Sequence, residues 1–309
     1  MTQQVSFDLT PEKEAGKLQF LRRQLFASPA PLSRRDVDLA GKTALVTGAN
    51  GDIGFECCRQ LLELGLAKVI LAVRDETKGE AARNALIAAV KPNASVTVEV
   101  WKLDYASYDS IIDLARRVEQ LTPRLDIAIL NAGVNRASFS LNPETGHEED
   151  IQTNYLSSVL LLLLLIGPLL PVFDDKNARF DKFERYAVSK LLGQLFLAEL
   201  VKLVPSSLAI VNCANPGLCY SGLQRELGLS TTLPVRILGR SPAIGARALV
   251  HAAVKQDEKS HGQYVEDGKL RPMAPFVYSE QGPIVAQRLW DETLKELAFA
   301  GVQEAVGSS

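Results

Sequence analysis

Sulfur and imidazole are scarce in this chain, which has four cysteines, three histidines and two methionines in 309 residues. Cys57, Cys58, Cys213 and Cys219 make no zinc-ligand spacing, and two of them are adjacent. That pattern predicts reduced thiols in a cytoplasmic protein rather than a disulfide framework. His147, His251 and His261 are scattered through polar or helix-end contexts, so no metal site is expected. An excess of one charge is also lacking. The 34 basic and 36 acidic side chains nearly cancel, leaving −2, which gives no electrostatic reason to bind nucleic acid or an anionic membrane. The N-terminus is polar and without an apolar core, so no signal peptide is expected. The longest apolar run, from Val159 through Phe173, is interrupted by Pro168 and Pro171. At roughly 15 residues it falls short of the ~20 that a bilayer needs. It predicts a helix buried in a core or a subunit interface, not a membrane span.

Regular alternation is what the chain does have. Apolar strands are predicted at Thr43–Thr47, Lys68–Val73, Ser95–Leu103 and Leu125–Leu130. Helices are predicted between them at Gly54–Leu64, Glu76–Val90 and Ser107–Leu121. Near-continuous apolar strands alternating with helices predict a doubly wound parallel α/β sheet, covered on both faces. Further on, helices are expected at Glu144–Ile166 and Phe183–Leu203, and a strand at Ser207–Asn212. Then come helices at Thr232–Leu238 and Pro242–Val254, a last strand at Gly262–Val265 and a C-terminal helix at Pro283–Phe299. Residues 1–40 form an extension. Its first residues are expected to fray, and Thr10-Pro11-Glu12 opens a helix to about Phe26 that packs through Leu18, Leu21 and Leu25. Residues 41–309 are expected to be one domain.

Two stretches carry chemistry. Thr47-Gly-Ala-Asn-Gly-Asp-Ile-Gly54 follows a strand and opens a helix. Such a turn lets backbone N–H groups and a helix N-terminus approach a pyrophosphate. Its expected cofactor contacts are Gly48, Asn50, Gly51, Ile53 and Gly54. At the end of the second strand Arg74 precedes Asp75. The arginine's planar fork suits a ribose 2′-phosphate and the aspartate suits a helix cap, which favours NADP (NADPH) over NAD. The second stretch is Tyr186-Ala-Val-Ser-Lys190. Residues four apart share a helix face, so a phenol and an ammonium project together. A cation beside a phenol is expected to lower its pKa toward the range useful for proton transfer.

With Asp104 after the third strand, Asn131-Ala-Gly133 after the fourth and Tyr-x-x-x-Lys later, the chain resembles the short-chain dehydrogenase/reductases. The resemblance spans roughly residues 40 to 300. Leu-Ala-Val-Arg-Asp with Lys78-Gly79, and Trp290-Asp-Glu-Thr, look like the retinol-dehydrogenase-like branch, which fungal biosynthetic-cluster reductases also resemble. The resemblance implies a Rossmann-type fold and an NADP(H)-dependent oxidoreductase. It would interconvert a carbonyl and an alcohol on a small apolar substrate, as a step in secondary metabolism. By the same resemblance Tyr186 is the general acid/base, Lys190 binds the nicotinamide ribose and Asn154 holds a relay water. Asp104 faces the adenine, Asn131 and Gly133 flank the cofactor, and Pro216, Gly217 and Ser221 lie beside the carboxamide. A homodimer through the apolar Asn154 helix is implied as well.

The chain departs from the family pattern twice. Asp52 stands where the family has a glycine. Its carboxylate is expected to crowd the pyrophosphate, with Gly51 absorbing the backbone strain, so Asp52→Gly is expected to tighten NADPH binding. The family also has a fifth strand, ending in a catalytic serine, between the Asn154 and Tyr186 helices. Here only Gly167 to Arg185 intervenes, without serine or threonine. Leu169–Phe173 carries a proline unsuited to a central strand, and Asp174–Arg179 reads as loop. The strands on either side should then present unpaired edges or close together. Ser157, Ser158 and Ser189 are the nearest hydroxyls, all on helices. Three readings follow: a product from which a coding segment was skipped, an enzyme working without the serine, or an inactive NADP-binding protein with a scaffold or sensing role.

Overall fold

In a computed structural model the described residues are 9–89, 96–122, 124–166, 182–224 and 238–300. The first four apolar runs form a parallel sheet because each is flanked by a helix long enough to return the chain to the same edge. Its strands are β1 (Thr43–Thr47), β2 (Lys68–Val73), β3 (Thr97–Lys102) and β4 (Ile127–Ile129), in the order β3-β2-β1-β4. The strands β1 and β2 pair in register from Thr43 with Lys68 to Thr47 with Ala72. Leu45, Val46, Ile70 and Leu71 are completely buried, as a sheet covered on both faces requires. The covering helices are α3 (Asp52–Glu63), α4 (Glu76–Ala89) and α5 (Tyr108–Leu121).

The predicted Glu144 helix starts later than its periodicity suggests. Asn142 Oδ1 accepts from the Glu144 and Thr145 N–H groups and holds a turn there. The helix then runs as α6 (Glu149–Ile151), a π-helical stretch Gln152–Ser157 and α7 (Ser158–Ile166). Leu160, Leu161 and Leu163 are fully buried, so the described part of the apolar run is core, and among the described residues no helix is long and apolar enough to cross a membrane. The expectations for Leu169–Phe173 and Asp174–Arg179 lie outside the described residues. The helix α8 (Lys182–Leu200) follows, and Phe196 stacks on Trp290 at 5.5 Å.

The next strand is displaced. Ser207–Asn212 was expected to pair, yet the ladder begins only at β5 (Cys213–Asn215). That strand joins a second sheet with β6 (Tyr264–Glu266) and β7 (Lys269–Arg271), in the order β5-β6-β7. Leu208 is 70% exposed and Ile210 43%. A strand needs a partner for its N–H and C=O groups, and this run has only the start of one: the Val211 carbonyl accepts from Gly262 N at 2.8 Å and Val211 N donates to His261 Nδ1 at 3.2 Å. The same want of a partner shortens β4 at both ends relative to the predicted Leu125–Leu130. Among the described residues the two sheets share no ladder, and Leu125–Leu130 and Leu208–Asn215 line a cavity between them.

The hairpin β6–β7 turns at Asp267-Gly268, both at positive φ (52° and 74°). This Asp-Gly pair is a strong two-residue turn signal, and β7 was not anticipated. The helix α9 (Pro242–Val254) matches its prediction, with Ser241 as the cap, and α10 (Gly282–Glu296) is followed by a 3₁₀ turn, Leu297–Ala300. The expectations for residues 1–8 and for residues 232–237 lie outside the described residues.

The N-terminal arm corrects another expectation. It breaks into α1 (Pro11–Glu14) and α2 (Lys17–Phe26), and Leu18, Leu21 and Leu25 face solvent. The buried face carries Glu14, Arg23 and Gln24 instead. Gln24 Nε2 donates to the carbonyls of Leu218 (2.8 Å) and Leu238 (3.0 Å), and its Oε1 accepts from Leu218 N (3.0 Å). Arg23 pairs with Glu14 and, at 3.2 Å, with Glu266. Arg240 donates to the carbonyls of Arg23 and Ala27, and pairs with Asp267 at 2.7 Å. Side-chain amide and guanidinium groups satisfy backbone carbonyls here, and that polar set docks the arm.

Candidate active site

The glycine-rich turn is shaped by two close approaches. Gly48 sits at φ 65° at the end of β1, a left-handed conformation that favours glycine. A Cβ on Gly54 would come within 2.3 Å of the Gly48 carbonyl oxygen and 2.8 Å of Asn131 Nδ2, so α3 packs directly on the turn. Around Gly51, by contrast, a Cβ would meet nothing within 4 Å. That open cradle at the start of a twelve-residue helix fits the diphosphate of a dinucleotide. Gly51 itself is extended (φ −175°), so it absorbs no strain. The strained residue is Asp52, at φ 49°, and its carboxylate turns away to accept from Gly222 N at 2.7 Å. The crowding expected of this side chain is revised accordingly.

Asn131 Nδ2 donates to the Thr47 carbonyl (3.1 Å), and Ala132 N donates to Thr47 Oγ1 (2.9 Å), tying the end of β4 to the end of β1. Asn154, on the π-helical stretch, exchanges two 2.8 Å hydrogen bonds with the backbone of Val134. Its amide thus fixes the segment after Gly133, where a Cβ would lie 2.9 Å from Asn154 Oδ1 and 3.8 Å from Lys190 Nζ. An irregular helical turn at a polar residue inside an apolar helix is a common mark of a functional site.

On α8, Lys190 Nζ stands 5.4 Å from the centre of the Tyr186 ring. The two groups share a face as their spacing predicts. Burial pushes the Tyr186 phenol above its ordinary pKa, and the nearby Asp150 carboxylate pushes it the same way. Burial also pulls the Lys190 ammonium below its ordinary value. Lys190 reaches into a cavity, so water touches the side chain while packed walls still desolvate its amine. The phenol therefore shifts upward, opposite to the lowering expected from the lysine. Ser189 Oγ donates to the Tyr186 carbonyl (2.8 Å), Ser157 Oγ to that of Tyr105, and Ser158 Oγ to that of Thr153 (3.3 Å). All three hydroxyls are engaged by helix or loop carbonyls.

Arg74 is exposed at the end of β2, and its carbonyl accepts from Lys102 Nζ at 2.6 Å. Asp75 is occupied as a cap. Its carboxylate accepts from Lys78 N (3.1 Å), and that bond holds its pKa below the ordinary value. Asp104 Oδ1 accepts from Ala106 N at 3.0 Å. Asn50, Gly51, Ile53, Arg74, Asp104, Asn131, Gly133, Asn154, Tyr186, Lys190 and Ser221 all line one cavity of about 1770 Å³, together with Gly48. Gly54 lies behind the turn, buried. The cavity extends into the gap between the sheets, along Leu125–Leu130 and Leu208–Asn215. Its volume exceeds the ~300–1,000 Å³ of common ligand pockets, as a joined cofactor cleft and sheet gap would. Sequence reasoning missed Gln24 and Arg240, since nothing local marks a polar residue whose partners lie some two hundred positions away.

A four-stranded parallel sheet with a glycine cradle at the carboxyl ends of its strands defines the class: a dinucleotide-binding α/β protein. The sequence model described as short chain dehydrogenase matches residues 42–231, and the chain belongs to that family. The short-chain dehydrogenase fogG of Aspergillus ruber is 43% identical, over 98% of this chain and 99% of its own. The short chain dehydrogenase/reductase mfmJ of Annulohypoxylon moriforme is 38% identical, over 94% of each. The fogG alignment is 346 positions long against a chain of 309, so at least the difference, 37 positions, faces gaps in this chain. Among solved structures, an uncharacterised Mycobacterium paratuberculosis protein superposes with a TM-score of 0.60 at 22% identity, covering 91% of this chain and 99% of that one. An Agrobacterium tumefaciens 3-oxoacyl (acyl-carrier-protein) reductase with NADP bound gives 0.58 at 20%, covering 75% and 95%. These likenesses show the fold.

Proposed function

We propose that this protein is an NADP(H)-dependent oxidoreductase that interconverts a carbonyl and an alcohol on a small, largely apolar substrate. The observation that carries the reading is the single cavity running from the glycine cradle and Arg74 to Tyr186 and Lys190. Arg74 supports the choice of NADP. Among the described residues its guanidinium has no hydrogen-bond or ion-pair partner, Lys102 adds a second cation nearby, and Asp75 is committed to its helix. A bidentate guanidinium recognises a phosphate dianion that a carboxylate would repel. The NADP-bound Agrobacterium reductase of the same fold is consistent with this choice.

When bound, the nicotinamide gives or takes the hydride. Tyr186 gives the proton to the carbonyl oxygen in reduction and receives it in oxidation. Lys190 adds positive charge beside the ribose and the phenol. Asn154 holds the Gly133–Val134 backbone that floors the nicotinamide end. The fungal relatives support a role in the biosynthesis of a small molecule.

The test is a fluorescence titration with NADPH and NADH, followed by NADPH oxidation over a panel of ketones and aldehydes. NADPH should bind the more tightly, and Arg74→Ala should remove most of that preference. Tyr186→Phe should abolish turnover with cofactor binding intact. Wild-type protein that binds NADPH yet turns over no carbonyl would replace this reading with that of a binding protein.

A further inference from the structure

Asp52 occupies the left-handed region, which a glycine would adopt without strain and which disfavours other residues. Its carboxylate is not idle there. It crosses the mouth of the cleft to accept the Gly222 N–H at 2.7 Å, a charge-assisted bond between the cofactor turn and the segment on the opposite wall. That segment is anchored elsewhere. Leu218 is held by Gln24 through both its N–H and its carbonyl, and the Arg240 backbone bonds Leu218 and Tyr220. Those contacts are part-buried, whereas the bond from Asp52 to Gly222 is exposed. Gly217, at φ 76°, lies at the root of the segment, and Ser221 lines the cavity. The geometry is that of a flap with a fixed base and a water-accessible tether.

We propose that Asp52 is the latch of this flap, holding residues 218–224 across the cofactor mouth and setting how fast the bound dinucleotide leaves. The inference rests on the reading that NADPH occupies the cleft. Asp52 acts through Gly222 and is a positioning residue.

The test is stopped-flow fluorescence of NADPH release from the full-length wild type, Asp52→Gly and Asp52→Asn. Asparagine keeps an acceptor oxygen and tolerates the left-handed conformation, but carries no charge. Asp52→Gly should release NADPH about tenfold faster, and Asp52→Asn should stay within about threefold of wild type. Amide exchange at Gly222 should quicken in the glycine variant alone, with the thermal midpoint of the domain nearly unmoved. Release from Asp52→Gly within twofold of wild type would overturn the latch. So would slower release in both variants, the signature of a carboxylate that only repels the pyrophosphate. Absence of NADPH binding in the wild type would instead remove the functional reading beneath it.

Discussion

At the scale of single residues, the phenol of Tyr186 is set by burial. Transfer from water penalises the charged phenolate, and the negative charge of Asp150 adds to the penalty, so the pKa rises. The consequence has a sign. Carbonyl reduction uses the protonated phenol, which persists through neutral and mildly alkaline pH, so its rate should be flat over about pH 6 to 9. Alcohol oxidation needs the phenolate and should climb with pH across the same range. Asp150→Asn removes one upward push and should move the oxidation limb toward lower pH. Steady-state rates in both directions against pH check this; an oxidation limb that stays in place would remove Asp150 from the account. The tyrosine-lysine spacing was legible in the sequence because helical geometry fixes it. The direction of the pKa shift was not, because burial and Asp150 come from other parts of the chain.

At the scale of elements, the N-terminal arm shows how a correct helix can be given the wrong face. Its leucine spacing satisfies an amphipathic pattern, yet the docked side is polar. Gln24 saturates three backbone groups of Leu218 and Leu238, and no apolar contact could leave those groups buried and unpaired. Gln24→Ala should therefore destabilise the domain by about 1–3 kcal/mol. Leu25→Ser, on the exposed face, should change stability by no more than about 0.5 kcal/mol. Urea unfolding of both variants decides the point, and the reverse order would restore the leucine stripe as the docking face. The first four strands were legible nearly to the residue, since each is a short apolar run with its partners close in sequence. Asp267-Gly268 is a two-residue hairpin signal of the same local kind.

At the scale of the whole molecule, the gap between the sheets is the governing feature. The free edge of β4 has no ladder partner among the described residues, and in the backbone of Ala209–Asn212 only Val211 is tied across, to Gly262 and His261. Unpaired edges exchange amide protons readily because no neighbouring carbonyl protects them. Hydrogen exchange should be orders of magnitude faster at Leu130, Ile210 and Asn212, whose N–H groups find no acceptor among the described residues, than at Leu45–Val46 and Ile70–Leu71. Equal protection at all of these positions would mean that the gap is closed in solution. The same edges are templates for pairing with another chain, so concentration-dependent association is expected on light scattering.

The sequence by itself determined what is local: the parallel half of the sheet, the glycine turn at its end and the shared face of Tyr186 and Lys190. It also exposed the absence of a serine between Gly167 and Arg185, because composition needs no coordinates. Only the tertiary structure decided whether Ser207–Asn212 would pair, since a strand exists only with a neighbour. It alone set the polar face of the arm, whose partners lie on the far side of the chain. It also turned Asp52 from an intruder at the pyrophosphate into a bond across the cleft. A left-handed backbone angle aims that carboxylate at Gly222, and no one-dimensional pattern records an angle.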